Sequence, residues 1–189
     1  MKIGLFFGSF NPIHIGHLII ANTVINETSL AKIFFIVSPQ NPLKKQSELL
    51  PALNRLSLTS AALQSDKRFE VSDVEFTQPL PSFTINTLEY FEEKFAADEF
   101  SLILGSDSFL NISNWKAHEQ LLQRRIIVYE RPGYPLKDDH KTPSIMFLKS
   151  PLLDISSTAI RHLIKAGKSI RYLVPEAVIN EIENNDFYR

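Results

Sequence analysis

The sequence predicts an α/β protein, an open parallel sheet with helices on both of its faces. Three observations predict it. Short apolar runs of strand length, such as Ile33-Phe34-Phe35-Ile36-Val37, recur with helical segments between them. These runs are apolar throughout, as strands covered on both faces are. Strand and helix alternate along the chain, which favours parallel strands joined by right-handed crossovers.

The elements follow in order. Residues 2–8 carry the apolar run Ile3 to Phe7 and read as the first strand. Residues 15–28 read as a helix, with Leu18, Ala21 and Ile25 along one face. Residues 33–37 are the second strand. A loop over 38–46 carries Pro39, Pro42, Lys44 and Lys45. Proline opens the next helix, Pro51 to Leu63. Glu70 to Phe76 alternates more and reads as a strand nearer the edge. Pro79 to Phe83 is a loop, and Thr84 to Phe95 a helix. Phe100 to Leu104 is an apolar strand that ends at Gly105-Ser106-Asp107. Residues 116–122 read as a helix and Arg125 to Tyr129 as a strand. Arg131 to Pro135 is a turn, and Lys137 to Thr142 a polar loop before a short strand, Ser144–Leu148. Ser157 to Ala166 is a helix, with serine at its start and Gly167 past its end. Pro175 to Asn184 is the last helix.

Bulk composition narrows the function. A chain of 189 residues suits one domain over 1–189, with a helical part from about 155 to 189 packed on it. Net charge is -1, which speaks against a polyanion-binding surface and hence against nucleic acid as a partner. There are no cysteines, so disulfides and thiolate zinc sites are excluded. No apolar run approaches the ~18 residues of a membrane span, and the N-terminal run breaks at Gly8-Ser9, unlike a signal peptide. These readings predict a cytoplasmic protein. Oligomeric state is not readable.

Chemistry concentrates in Gly8-Ser9-Phe10-Asn11-Pro12-Ile13-His14-Ile15-Gly16-His17, where a strand turns into a helix. A helix N-terminus has unpaired N–H groups and a positive dipole end, which suit phosphate. His14 and His17 can add hydrogen bonds and charge. Metal ligation is the competing reading, but zinc needs a third ligand, and His118, His140 and His162 have no supporting spacing. No protein metal site is expected. Gly167-Lys168-Ser169 imitates the end of a P-loop, yet His162 stands at the required earlier glycine. No G-x-G-x-x-G follows the first strand, against dinucleotide binding of the dehydrogenase type.

A second segment, Asp154-Ile155-Ser156-Ser157-Thr158-Ala159-Ile160-Arg161, reads as an ordinary serine cap or, beside the histidines, as hydroxyls, N–H groups and a guanidinium around phosphates. Ligands in open α/β sheets bind beyond the C-terminal strand ends. Gly8-Ser9 and Gly105-Ser106-Asp107 both follow such ends, so two candidate sites can converge. Asp107 can accept from a ribose hydroxyl. Trp115, the only tryptophan, lies in a polar loop and can stack on a planar ring.

The segment Gly8-Ser9-Phe10-Asn11-Pro12-x-His14-x-Gly16-His17 resembles the signature of the nucleotidylyltransferase superfamily. Within it the chain is similar to the bacterial nicotinate-nucleotide adenylyltransferases. Further matches are Pro81-Ser82-Phe83-Thr84-x-x-Thr87-Leu88, Leu104-Gly105-Ser106-Asp107-Ser108, Trp115 and Arg131-Pro132-Gly133-Tyr134-Pro135. Ile155-Ser156-Ser157-Thr158-x-Ile160-Arg161, Leu173-Val174-Pro175 and Tyr188-Arg189 complete them. Two positions depart: Phe7 stands where the family usually has a second glycine, and Asn11 where it usually has aspartate.

The resemblance implies a Rossmann-like nucleotidylyltransferase fold with a short C-terminal helical segment. It implies that ATP and nicotinate mononucleotide are joined into nicotinate adenine dinucleotide, with release of pyrophosphate. His14 and His17 are then the catalytic pair. Gly8, Ser9, Phe10, Gly16, Gly105, Asp107, Ser157, Thr158 and Arg161 are expected at ATP. Ser82, Phe83, Thr84, Trp115, Lys44 and Arg131 are expected at the mononucleotide, with Lys45 an alternative phosphate contact. Mg²⁺ is expected to arrive on the ATP phosphates. The alternatives are a same-fold adenylyltransferase for nicotinamide mononucleotide or phosphopantetheine, or a catalytically silent nucleotide-binding regulator.

Overall fold

The computed structural model describes residues 1–40, 49–137 and 142–189. Six strands form one sheet in the order β3-β2-β1-β4-β5-β6. They are β1 (Lys2–Gly8), β2 (Lys32–Val37), β3 (Phe69–Ser72), β4 (Glu99–Gly105), β5 (Arg125–Tyr129) and β6 (Ile145–Leu148). Parallel pairing is explicit for β1 with β4, β4 with β5 and β5 with β6. The helices are α1 (Ile15–Glu27), α2 (Ala52–Leu63), α3 (Thr84–Lys94), α4 (Ser106–Phe109), α5 (His118–Leu122), α6 (Ser157–Lys165) and α7 (Glu176–Asn184). The expected open α/β sheet is therefore present, and its strand order reverses direction between β1 and β4. Among the described residues, no helix is long and apolar enough to cross a membrane.

The chain divides into two compact units whose segments alternate along the sequence. One comprises Met1–Phe7, Ile20–Phe34 and Phe83–Asp154. Its core is the apolar strand interior, with Leu5, Leu102, Ile103 and Ile126 at most 1% exposed. Helix α3 packs on β4 through an aromatic cluster: Phe91 lies 5.4 Å from Phe34 and 5.6 Å from Phe100. The N-terminal ammonium pairs with Asp98. The other unit comprises Gly8–Ile19, Phe35–Ser82 and Ile155–Arg189. Here α2 packs against β3 and α7, around Phe35, Leu58 and Val178, none of them exposed.

Two local readings are corrected by the structure. The strand expected over Glu70–Phe76 ends at Ser72, and Val74–Thr77 form a 3₁₀ turn. Ser72 Oγ accepts from Val74 N–H at 3.3 Å, and Asp73 O from Phe76 N–H at 2.8 Å. Serine thus draws the backbone away from the ladder. After Gly105 the chain enters α4 at once. On α1 the buried stripe is Ile20, Ala21 and Val24, while Leu18 and Ile25 are only half-buried. That helix is apolar on most of its surface, so periodicity alone did not fix its inner face.

Gly4 marks where the core is tightest. A Cβ there would lie 2.7 Å from Ile103 Cδ1, 2.9 Å from Leu30 Cδ1 and 3.2 Å from Ile33 Cγ1. Overpacking of this kind costs about 1–3 kcal/mol, so Gly4→Val should lower the urea midpoint by that much free energy. An unchanged midpoint would show that these neighbours yield freely.

Candidate functional site

The first part of the site lies wholly in the unit containing residues 8–19. Strand β1 ends at Gly8, and Phe10 turns the chain with a φ of 42°. A Cβ on Gly8 would come within 2.6 Å of the Phe10 ring, so this turn requires glycine. The Phe10 side chain is 2% exposed and packs on Phe35 at 5.5 Å. What Phe10 can offer a ligand is therefore its backbone. Its ring supports His17 from beneath, edge to face at 5.1 Å.

The two imidazoles stack at 3.7 Å with an interplanar angle of 26°. His14 is buried and His17 half-buried. His14 N–H donates to His17 Nδ1 at 3.2 Å. A neutral imidazole that accepts at Nδ1 carries its proton on Nε2, so His17 presents an Nε2–H donor. Gly16 makes room for the stack: a Cβ there would lie 3.0 Å from His14 Nδ1.

The carbonyls of the loop before the histidines are held by side chains from far along the chain. Arg55 Nη1 donates to Ser9 O at 2.7 Å. Arg161 Nη1 donates to Asn11 O at 2.9 Å, and Ser157 Oγ donates to Pro12 O at 2.9 Å. In a planar trans peptide the C=O and the following N–H point in opposite directions. Drawing the Ser9 carbonyl into the protein therefore turns the Phe10 amide the other way. Ser9 Oγ is buried and has no hydrogen-bond partner among the described residues.

Helix α6 supplies two of these donors. Ser156 caps it, accepting from Ala159 N–H at 3.2 Å. Thr158 is exposed on its first turn, with its Oγ1 3.4 Å from Arg161 Nη2. Asn11, one of the two departures, is buried. Its Oδ1 accepts from Tyr188 O–H at 3.0 Å and from Leu50 N–H at 3.1 Å. Burial raises the Tyr188 phenol pKa, against the opposing charges of Arg55 and Arg161.

The second part lies in the unit containing residues 83–154. Gly105 ends β4, and a Cβ there would meet Asp107 Oδ1 at 2.5 Å, Arg131 Cδ at 2.8 Å and Tyr129 O–H at 3.2 Å. Arg131 Nη1 donates to Asp107 Oδ2 at 3.2 Å, and its backbone N–H to Ser106 Oγ at 2.9 Å. Asp107 Oδ1 is buried without a hydrogen-bond partner among the described residues. Phe83 precedes α3 in extended conformation, and Lys116 Nζ lies 4.7 Å over its ring. Trp115 is half-buried beside that lysine. Ser82 belongs to the other unit, where its buried hydroxyl donates to Glu75 Oε2 at 2.7 Å. Lys44 and Lys45 lie outside the described residues.

Sequence reading missed Arg55. Its signal was present, because Arg55 shares one helical stripe with Leu58, Thr59 and Leu63, all buried. A charge on an apolar stripe is rarely accidental.

Comparison with known proteins places the chain. The family model described as cytidylyltransferase-like matches residues 5–163. A protein of Cytophaga hutchinsonii named "probable nicotinate-nucleotide adenylyltransferase" is 45% identical over 189 residues, covering 100% of this chain and 98% of that one. The protein of the same name from Flavobacterium psychrophilum is 43% identical over 192 residues, covering 100% of both. Among solved structures, Plasmodium falciparum nicotinic acid mononucleotide adenylyltransferase complexed with APC superposes with a TM-score of 0.83. It covers 99% of this chain and 96% of that one, at 19% identity, a likeness of fold.

Burial near Gly105 also sets a pH limit. The Tyr129 phenol is pushed up to about 12 by burial and by Asp107, with Arg131 acting the other way. An unfolded tyrosine ionises near ~10, so between these values the unfolded chain loses a proton that the folded chain keeps. Stability should therefore fall as pH rises through that window. Urea titrations on either side of it should show a smaller fall for Tyr129→Phe than for wild type. Equal falls would place the alkaline sensitivity elsewhere.

Proposed function

The chain belongs to the cytidylyltransferase-like family, and we propose that it joins ATP to nicotinate mononucleotide, giving nicotinate adenine dinucleotide and pyrophosphate. The observation that carries this reading is the 8–17 segment. Its carbonyls are held inward while the His17 Nε2–H is fixed as a donor. Relatives that match the chain from end to end carry the name of this enzyme.

In the reaction, a phosphate oxygen of the mononucleotide attacks the α-phosphorus of ATP. An oxygen–phosphorus bond forms, the bond to the bridging oxygen breaks, and pyrophosphate leaves. Such transfers depend on positioning and charge stabilisation more than on covalent chemistry. His17 Nε2–H donates to a phosphate oxygen on which charge develops, and His14 holds the ring in place. The Phe10 amide, Ser9 Oγ, Thr158 and the first turn of α6 hold the triphosphate, together with Gly8, Gly16 and Arg161. Ser157 acts by holding the Pro12 carbonyl.

Gly105 and Asp107 serve the adenosine, with Asp107 Oδ1 accepting from a ribose hydroxyl. Phe83, Thr84 and the open N-terminus of α3 receive the nicotinate carboxylate, and Trp115 covers the pyridine ring. Arg131 answers the mononucleotide phosphate, with Lys44 the counterpart in the segment after β2. Ser82 fixes the entry to α3 through Glu75. Among the described residues, no three His, Cys, Asp or Glu side chains are grouped to hold a metal ion. Mg²⁺ arriving on the ATP phosphates would supply charge neutralisation where the 8–17 segment and α6 hold them. The proposed setting is cytoplasmic NAD biosynthesis, carried out by residues 1–189 as one catalytic domain.

The test is pyrophosphate release by the purified protein with ATP and each of three acceptors. Nicotinate mononucleotide should exceed nicotinamide mononucleotide by at least ~10²-fold in kcat/KM, because a site built for a carboxylate leaves donors unpaired with an amide. Phosphopantetheine should give no turnover. Equal values for the two mononucleotides would remove the carboxylate pocket. No release with any acceptor would leave a nucleotide-binding regulator.

A further inference from the structure

Arg55 is a buried cation that meets the proposed phosphate loop only through its backbone. It is 1% exposed, the largest fully buried side chain among the described residues. Its guanidinium makes four hydrogen bonds, all to backbone carbonyls. Nε donates to Leu50 O at 2.8 Å, Nη1 to Ser9 O and Ser38 O at 2.7 Å each, and Nη2 to Pro39 O at 2.9 Å. No carboxylate among the described residues pairs with it. Burial lowers its pKa, yet a guanidinium keeps its charge in proteins.

Burying such a charge is costly, and an apolar side chain would fill the α2 stripe at no such cost. What a leucine cannot do is bind three separate segments at once. Arg55 ties the turn after β1 to the segment after β2 and to the approach to α2. One of the carbonyls that it holds belongs to Ser9, whose peptide carries the Phe10 N–H on its opposite edge. Lysine cannot reproduce the planar fork that reaches several carbonyls together.

Resting on the function proposed above, we infer that Arg55 is a positioning residue for the nucleotide phosphates. It holds the Ser9 carbonyl away from them and so keeps the Phe10 amide and Ser9 Oγ directed at them.

Arg55→Lys tests this by calorimetry with ATP and, separately, with adenosine, which has no phosphates. Thermal unfolding first establishes that the variant is folded, and Arg55→Gln replaces it if it is not. The Kd for ATP should rise at least about tenfold, the scale for losing one charge-assisted contact, while that for adenosine moves less than about threefold. Unchanged ATP binding overturns the inference. Equal weakening of both ligands also overturns it, because a general structural role does not single out phosphates. Pyrophosphate release by the wild type is measured alongside. Its absence would count against the proposed reaction alone, and the two calorimetric arms would still decide for or against Arg55.

Discussion

A loop that binds phosphate has to hide its own carbonyls. Every peptide brings one acceptor for each donor, and an exposed carbonyl oxygen repels the anion that the neighbouring amide attracts. Here the carbonyls of Ser9, Asn11 and Pro12 are each taken by a side chain: Arg55, Arg161 and Ser157. The last two stand 150 and 145 residues away from their partners. The conformation of residues 9–12 is therefore fixed by contacts that the loop itself does not contain.

The histidine pair depends on the same arrangement. Phe10 can place its ring under His17 only because Gly8 leaves space and the turn holds φ at 42°. Positive φ is unfavourable for a bulky residue and persists only where surrounding contacts impose it. His14 then lies parallel to His17, and its own N–H sets the tautomer. A glycine at 16 leaves His14 its room, since a Cβ there would lie 3.0 Å from His14 Nδ1. The spacing H-x-G-H thus follows from one packing problem: two imidazoles stacked at the mouth of a loop on an aromatic floor.

Much of this was legible in the sequence because it is local. Apolar runs such as Ile33–Val37 announce buried strands, and the glycine-serine turn before the histidines announces where a strand gives way to a helix. What escaped was non-local. Asn11 at a family aspartate position reads as a departure, yet its amide oxygen receives Tyr188 and Leu50. Arg55 reads as one more surface arginine unless its place beside Leu58 and Leu63 is noticed. The role of Ser157 in holding Pro12 depends on a contact across most of the chain, which spacing cannot report. Residues 73–76 alternate like a strand, and only the Ser72 and Asp73 hydrogen bonds turn them into a 3₁₀ segment.

If the held Ser9 carbonyl directs the Phe10 amide, together with His17 Nε2–H, at phosphate as proposed, both groups respond to phosphate and not to adenosine. The direct measurement is a titration of ¹⁵N-labelled protein with a non-hydrolysable ATP analogue, followed by NMR. Large shifts at the Phe10 amide and at His17 Nε2, absent when adenosine replaces the analogue, are the predicted result. Phosphate-dependent shifts confined to other segments, with these two signals unmoved, would contradict it.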